Sequence, residues 1–231
     1  MMKRTQLAVV AVLAACLAGT DAAYAQQGLN VQLGYFSVRG EDGRVDHDVI
    51  AVNRQYLLFD VKDYSGFTLG GEWTFPVGEY LEGGVGVQFY QRTVPSVYAD
   101  WVYDDGREIA QDVKLRNVPV TATIRILPFG RRSALQPYVG GGVGINVWRY
   151  SETGDFVDFT DGAIFRDAFV GSGTAVGPVG IFGIRGRVAP QFDIGFELRY
   201  QWAEGTLGQD FLDDRIDLGG FNALSVFRIR F

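Results

Sequence analysis

Few side chains in this chain stand where catalysis or metal binding would need them. His47 is the only histidine, and it sits between Asp46 and Asp48. A Ser-His-Asp hydrolase, including the acyl hydrolases that use small barrels, needs its imidazole held near a serine hydroxyl. No serine adjoins His47, and its loop promises no rigid support, so an exposed structural histidine is expected. Cys16 is the only cysteine, which leaves too few ligands for a zinc site of usual composition. Asp155, Asp158, Asp161, Asp210, Asp213 and Asp214 could gather Ca²⁺, but they match no calcium-loop spacing and read as a solvated acidic rim. The glycines of 140–144 alternate within a strand and no helix follows, unlike a phosphate-binding loop. The expectation is no catalytic residue, no cofactor and no metal.

What remains is charge set between apolar residues at a period of two. Phe192, Ile194, Phe196, Leu198, Tyr200 and Trp202 alternate with Asp193, Glu197, Arg199 and Gln201; Phe227, Ile229 and Phe231 alternate with Arg228 and Arg230. Successive strand residues point to opposite faces. Each segment therefore has an apolar face and a charged face, as in a barrel with lipid outside and a polar lumen. Six further segments fit. Leu29–Val38 sets Leu29, Val31, Leu33 and Tyr35 against Asn30, Gln32 and Gly34. Phe67, Leu69, Trp73 and Phe75 oppose Thr68, Gly70, Glu72 and Thr74, and Leu81, Val85, Val87 and Phe89 oppose Glu82, Gly84, Gly86 and Gln88. Val118, Val120, Ala122, Ile124 and Ile126 oppose Thr121, Thr123 and Arg125. Val139, Val143, Ile145 and Val147 oppose Tyr138, Gly140, Gly142, Gly144 and Asn146, and Phe182, Ile184 and Val188 oppose Arg185 and Arg187. The fold class predicted is all-β: an eight-stranded antiparallel transmembrane barrel, an up-and-down meander.

The connections are of two kinds. Pro76–Glu79, Pro128–Arg131 and Val188–Gln191 are short and carry prolines, which mark turns because proline donates nothing to a ladder. These read as periplasmic turns. The long stretches 39–63, 93–113, 150–175 and 203–215 read as extracellular loops. Three contain Asp-Gly, at Asp42-Gly43, Asp105-Gly106 and Asp161-Gly162, which favours tight hairpins projecting outward. Tyr64, Phe67, Trp73, Phe75, Tyr80, Trp148, Tyr200 and Trp202 fall near strand ends, as interfacial girdles should, although Trp148 has lumen parity.

Composition agrees. Lys3 and Arg4 precede an apolar run, and Ala23-Tyr24-Ala25 offers a cleavage site, so residues 1–25 read as a cleaved signal peptide and 26–231 as one barrel domain. Leu13-Ala14-Ala15-Cys16 also resembles a lipobox, which leaves acylation of Cys16 as the alternative. No run is long enough to cross a bilayer as a helix. Net charge is −6 with only three lysines, and no basic patch points to nucleic acid.

With odd strands rising and even strands descending, Glu72, Glu82, Arg125, Arg185, Arg187, Asp193, Glu197, Arg228 and Arg230 all fall in the periplasmic half of the lumen. Charges in so narrow a space must be matched, which predicts a salt-bridged plug, with Arg187 and Asp193 pairing across the third turn. The glycines above it either make room for Tyr90, Tyr138, Trp148 and the arginines or line a small cup. Eight strands enclose little more than their own side chains, so a standing pore is not expected.

The run Pro137-Tyr138-Val139-Gly140-Gly141-Gly142-Val143-Gly144 resembles the Pro-Tyr-x-Gly-x-Gly-x-Gly signature of OmpA-like and opacity-type outer-membrane barrels. That resemblance implies residence in a Gram-negative outer membrane, contact with its lipids and lipopolysaccharide, insertion by the barrel-assembly machinery with Phe227, Ile229 and Phe231 as the assembly signal, and a non-enzymatic role in envelope integrity or in contact with an extracellular ligand or host surface. No peptidoglycan-binding domain is expected after the eighth strand, so the cell-wall tethering of full-length OmpA is not expected to carry over. A porin-like conduit for small solutes or amphiphiles is the alternative.

Overall fold

The computed structural model describes residues 27–231. The expected signal segment 1–25 and Cys16 lie outside them. Ten strands follow: β1 (Gly28–Val38), β2 (Gly66–Pro76), β3 (Leu81–Val102), β4 (Glu108–Ile126), β5 (Leu135–Val157), β6 (Ile164–Ala189), β7 (Phe192–Gln201), β8 (Glu204–Thr206), β9 (Arg215–Asp217) and β10 (Gly220–Arg230). Eight close into a ring in the order β1-β10-β7-β6-β5-β4-β3-β2, while β8 and β9 pair with each other. All ring pairs are antiparallel, and β1 joins both β10 and β2, so the ring has no free edge at its seam. Closure matters because lipid offers no partner for backbone N–H and C=O groups.

Side chains invert the usual soluble arrangement. Leu29, Val31, Leu33, Phe67, Leu69, Val85, Ile124, Val143, Phe182, Phe196 and Phe227 are exposed, whereas Asn30, Gln32, Glu72, Thr123, Arg125, Glu197 and Arg228 are buried. An apolar skin around a polar filling is the surface of a barrel that spans a bilayer. Phe67, Tyr80 and Trp202 lie on that skin near strand ends; Tyr64 and Trp148 are buried inside and leave the predicted girdle.

A spanning strand needs about 10 residues, so β3 to β6 run well past the membrane. The β3–β4 and β5–β6 hairpins turn at Gly106 (φ +80°) and Gly162 (φ +75°), left-handed positions that glycine adopts without a Cβ penalty. Along β4 the alternation keeps its phase but swaps its character. Below Asn117 the outward residues are apolar (Val118, Val120). Above it Lys114 and Arg116 face out, and Val113 and Leu115 are buried inside. That inversion marks the level where the surroundings change from hydrocarbon to water.

The third expected hairpin, at Asp42-Gly43, does not form. The first outer connection instead folds as a 3₁₀ turn (Glu41–Gly43), a short helix α1 (Val49–Asn53) and a second 3₁₀ turn (Val61–Tyr64). Asp48 caps α1 by accepting from the Ala51 backbone N–H at 3.0 Å. The reason is burial: Val49, Ile50, Leu57, Val61 and Tyr64 drop into the barrel mouth, a sink that an outward hairpin would not give them.

Candidate functional site

The interior has two storeys. The lower one is ionic. Arg125 of β4 reaches Glu72 of β2 at 2.5 Å and Glu197 of β7 at 3.0 Å. Arg199 of β7 reaches Glu197 at 2.7 Å and Glu72 at 3.5 Å. Two arginines and two glutamates thus alternate around a closed quartet, with Asn30 donating to Glu72 at 3.1 Å and the Tyr138 hydroxyl donating to Glu197 at 3.0 Å. Beneath it Glu82 takes both Arg185 amino groups, at 2.8 and 2.9 Å, and Arg228 at 2.8 Å. The Tyr138 ring lies 5.4 Å from the Arg125 guanidinium and 5.5 Å from that of Arg185, joining the two clusters by cation–π contact. Arg230 closes the bottom on Asp193 at 3.3 Å.

Glycines make this crowding sterically accessible. A Cβ at Gly183 would lie 2.4 Å from the Tyr138 ring, and one at Gly84 would lie 2.7 Å from an Arg125 nitrogen. Arg187 is not a lumen residue: it stands opposite Asp193 in the β6–β7 register, yet its side chain is exposed beside the turn and Asp193 turns to Arg230 instead. Arg199 is a full member of the quartet that the sequence reading left out, although its inward parity, one step above Glu197, was legible.

The upper storey is apolar. Phe36, Tyr90 and Trp148 form its floor. Above them the first loop packs against Val94, Tyr98, Ile109, Val113, Leu115 and Tyr150 of the hairpins and against Leu207, Ile216 and Leu218 of the last connection. Buried ionic contacts clasp the first loop to the last. Arg44 grips Asp48 at 2.5 and 3.1 Å and donates to the Asp217 carbonyl at 3.0 Å, Asp48 accepts from the Asp217 N–H at 2.7 Å, and Arg39 pairs with the Asp217 carboxylate at 3.0 Å. Between the storeys, a space bounded by Phe36, Gln88, Tyr90, Asn117, Gln201 and Asn222 has a volume of only 10 Å³, about enough for one water.

His47 (φ +62°) is exposed, and its side-chain hydrogen bond runs to Asp213 at 3.3 Å, not to a serine. Among the described residues no group of three His, Cys, Asp or Glu could hold a metal ion. Outside, a cross-strand row of Gln91, Arg116 and Arg149, with Lys114 and Ser151 one step higher, lies directly above the apolar skin. Phe227 and Ile229 face out from β10, and the Phe231 N–H donates to the Gln27 carbonyl at 3.1 Å.

No family model and no curated protein matches the chain. Solved structures do. Neisserial surface protein A is 14% identical, with 89% of this chain and 97% of that one covered and a TM-score of 0.49. Outer membrane protein OprG of Pseudomonas aeruginosa is 14% identical, with 90% and 97% covered and a TM-score of 0.49. The attachment invasion locus protein Ail of Yersinia pestis is 14% identical, with 90% and 99% covered and a TM-score of 0.44.

Proposed function

We propose that this protein is a non-enzymatic integral outer-membrane barrel that conducts nothing through its axis and works through what its extracellular cap and hairpins contact, in envelope integrity or surface interaction. The observation that carries this reading is the doubly filled interior, an ion-paired lower lumen beneath an apolar mouth. The row of Arg116, Arg149 and Lys114 supports a lipid partner: cations just above the hydrocarbon fit the phosphates of outer-leaflet lipopolysaccharide. The outward alternation of Phe227, Ile229 and Phe231 supports recognition by the barrel-assembly machinery.

Planar-bilayer recording tests the central claim. Purified protein should give no steady openings, and a stable conductance that changes in Glu72→Gln would overturn it. Lipid A masses unchanged by expression are expected if the protein is not a lipid-modifying enzyme. The rival reading, a conduit for small solutes or amphiphiles, draws on one feature. β6 runs beside β7 only from Val179 downward, so its stretch above Val179 forms a ladder edge in the upper wall.

A further inference from the structure

A cavity of about 380 Å³ opens on the extracellular side between the tip of the β5–β6 hairpin, the first loop and the last connection. That volume lies within the range of sites for small organic ligands. Its walls are aromatic: Phe159 meets Tyr56 at 5.1 Å and Tyr98 at 6.5 Å between ring centroids, and Phe156 meets Phe169 at 4.8 Å. Its floor is polar. Glu152, nearly buried, accepts from the Asn53 side chain at 2.5 Å and from the Tyr150 hydroxyl at 2.8 Å. Both bonds use Oε1, leaving Oε2 for another donor. Gln111, 4% exposed, spends its amide N–H groups on the Tyr98 hydroxyl and the Asp155 carbonyl, while its Oε1 is buried with no partner. Asp158 and Asp210 add negative charge around the cavity, and none of the lining residues is Lys, Arg or His.

A nearly buried carboxylate with one oxygen free, at the base of an aromatic and anionic cup, defines what would fill it. A neutral hydrophobe would suit the walls and leave the carboxylate dry and unpaired, which is costly. An anion would be repelled. We propose that this cup binds an apolar-bodied organic cation with a primary ammonium group, whose N–H groups meet Glu152 Oε2 while the aromatic walls hold its body and its charge. The proposal rests on the reading that the cap is the protein's working surface, and it names the chemistry that surface accepts.

Calorimetric titration of the full protein in zwitterionic micelles tests it, with 4-phenylbutylammonium as probe and 4-phenylbutan-1-ol as its uncharged counterpart. The ammonium should bind about tenfold more tightly than the alcohol, a ratio typical of one added charge-assisted contact. Glu152→Gln should abolish that preference, and Phe159→Ala should weaken both compounds together. Should Glu152→Gln disturb the cap, the rim pair Asp158→Asn with Asp210→Asn should still lower ammonium affinity and leave the alcohol unaffected. Equal affinity for the two compounds in the native protein, or an ammonium preference that survives all these changes, would overturn the proposal. Because binding is read in micelles without any current, its failure is separable from that of the closed-lumen reading.

Discussion

The lower lumen and the mouth of the barrel are filled by opposite chemistry. Below, Arg125, Arg199, Glu72 and Glu197 lie within 3.5 Å of their partners with almost no solvent access. Above, Val49, Ile50 and Ile109 pack as in a soluble core. The difference follows from what each level must do on its outside. At the level of hydrocarbon the outward positions take the apolar residues, and alternation leaves the polar ones for the interior. Above the membrane the outward positions are polar, and the interior becomes an ordinary hydrophobic core. The lower storey is therefore all-or-none, since removing one ion strands its partner. The upper storey rests mostly on additive apolar contacts, with the Arg44–Asp48–Asp217 clasp beside them, and can loosen alone.

The largest expected effect that would break this contrast lies below. Arg125→Met leaves Glu72 and Glu197 sharing Arg199, and should cost about 3–5 kcal/mol, measured by urea unfolding from lipid vesicles. A loss under about 1 kcal/mol would mean that the quartet is not a unit. Next, Ile50→Ala should cost about 2–5 kcal/mol, yet only in the cap. Hydrogen exchange should accelerate across 49–53 while the β1–β10 ladder keeps its protection, and loss of protection in both would merge the two storeys.

The smallest effect sharpens the contrast by pH. Burial raises the Glu152 carboxyl above its usual value, even though Asn53 and Tyr150 favour its charged form. A group whose pKa is raised on folding binds its proton more readily in the folded cap. Cap stability should thus fall as pH rises from the ordinary glutamate value through the raised one, and should hold at lower pH. Intrinsic-rate-corrected exchange at 49–53 should show this slope, and Glu152→Gln should flatten it without touching the barrel strands.

How much of this was legible depended on whether a signal was local. Period-two alternation and proline-marked turns are local, and they place all eight ring strands. Glu72, Glu82, Arg125, Arg185, Glu197 and Arg228 could be assigned to the lumen by parity alone. Arg187 could not, because it stands beside a turn at the open end of the lumen, where inward parity no longer secures burial. The cap was missed for a different reason. Val49, Ile50, Leu57 and Val61 are an apolar series inside a stretch read as a loop, and only the closed mouth tells them where to go. The reversal at Asn117, apolar outside below and apolar inside above, was written in β4 all along and locates the floor of the cap.

The seam between the first and last ring strands carries a consequence of its own. Sliding β10 by two places along β1 would keep every greasy residue outward, so the skin alone does not forbid the wrong alignment. What forbids it is the inward pairing of Arg228 with Glu82 and of Arg230 with Asp193, together with a fastener at each end: Gln27 with Phe231 at one, and the Arg39–Asp217 bridge with its neighbours at the other. The cap is thereby also one part of the lock that sets how the cylinder is zipped shut.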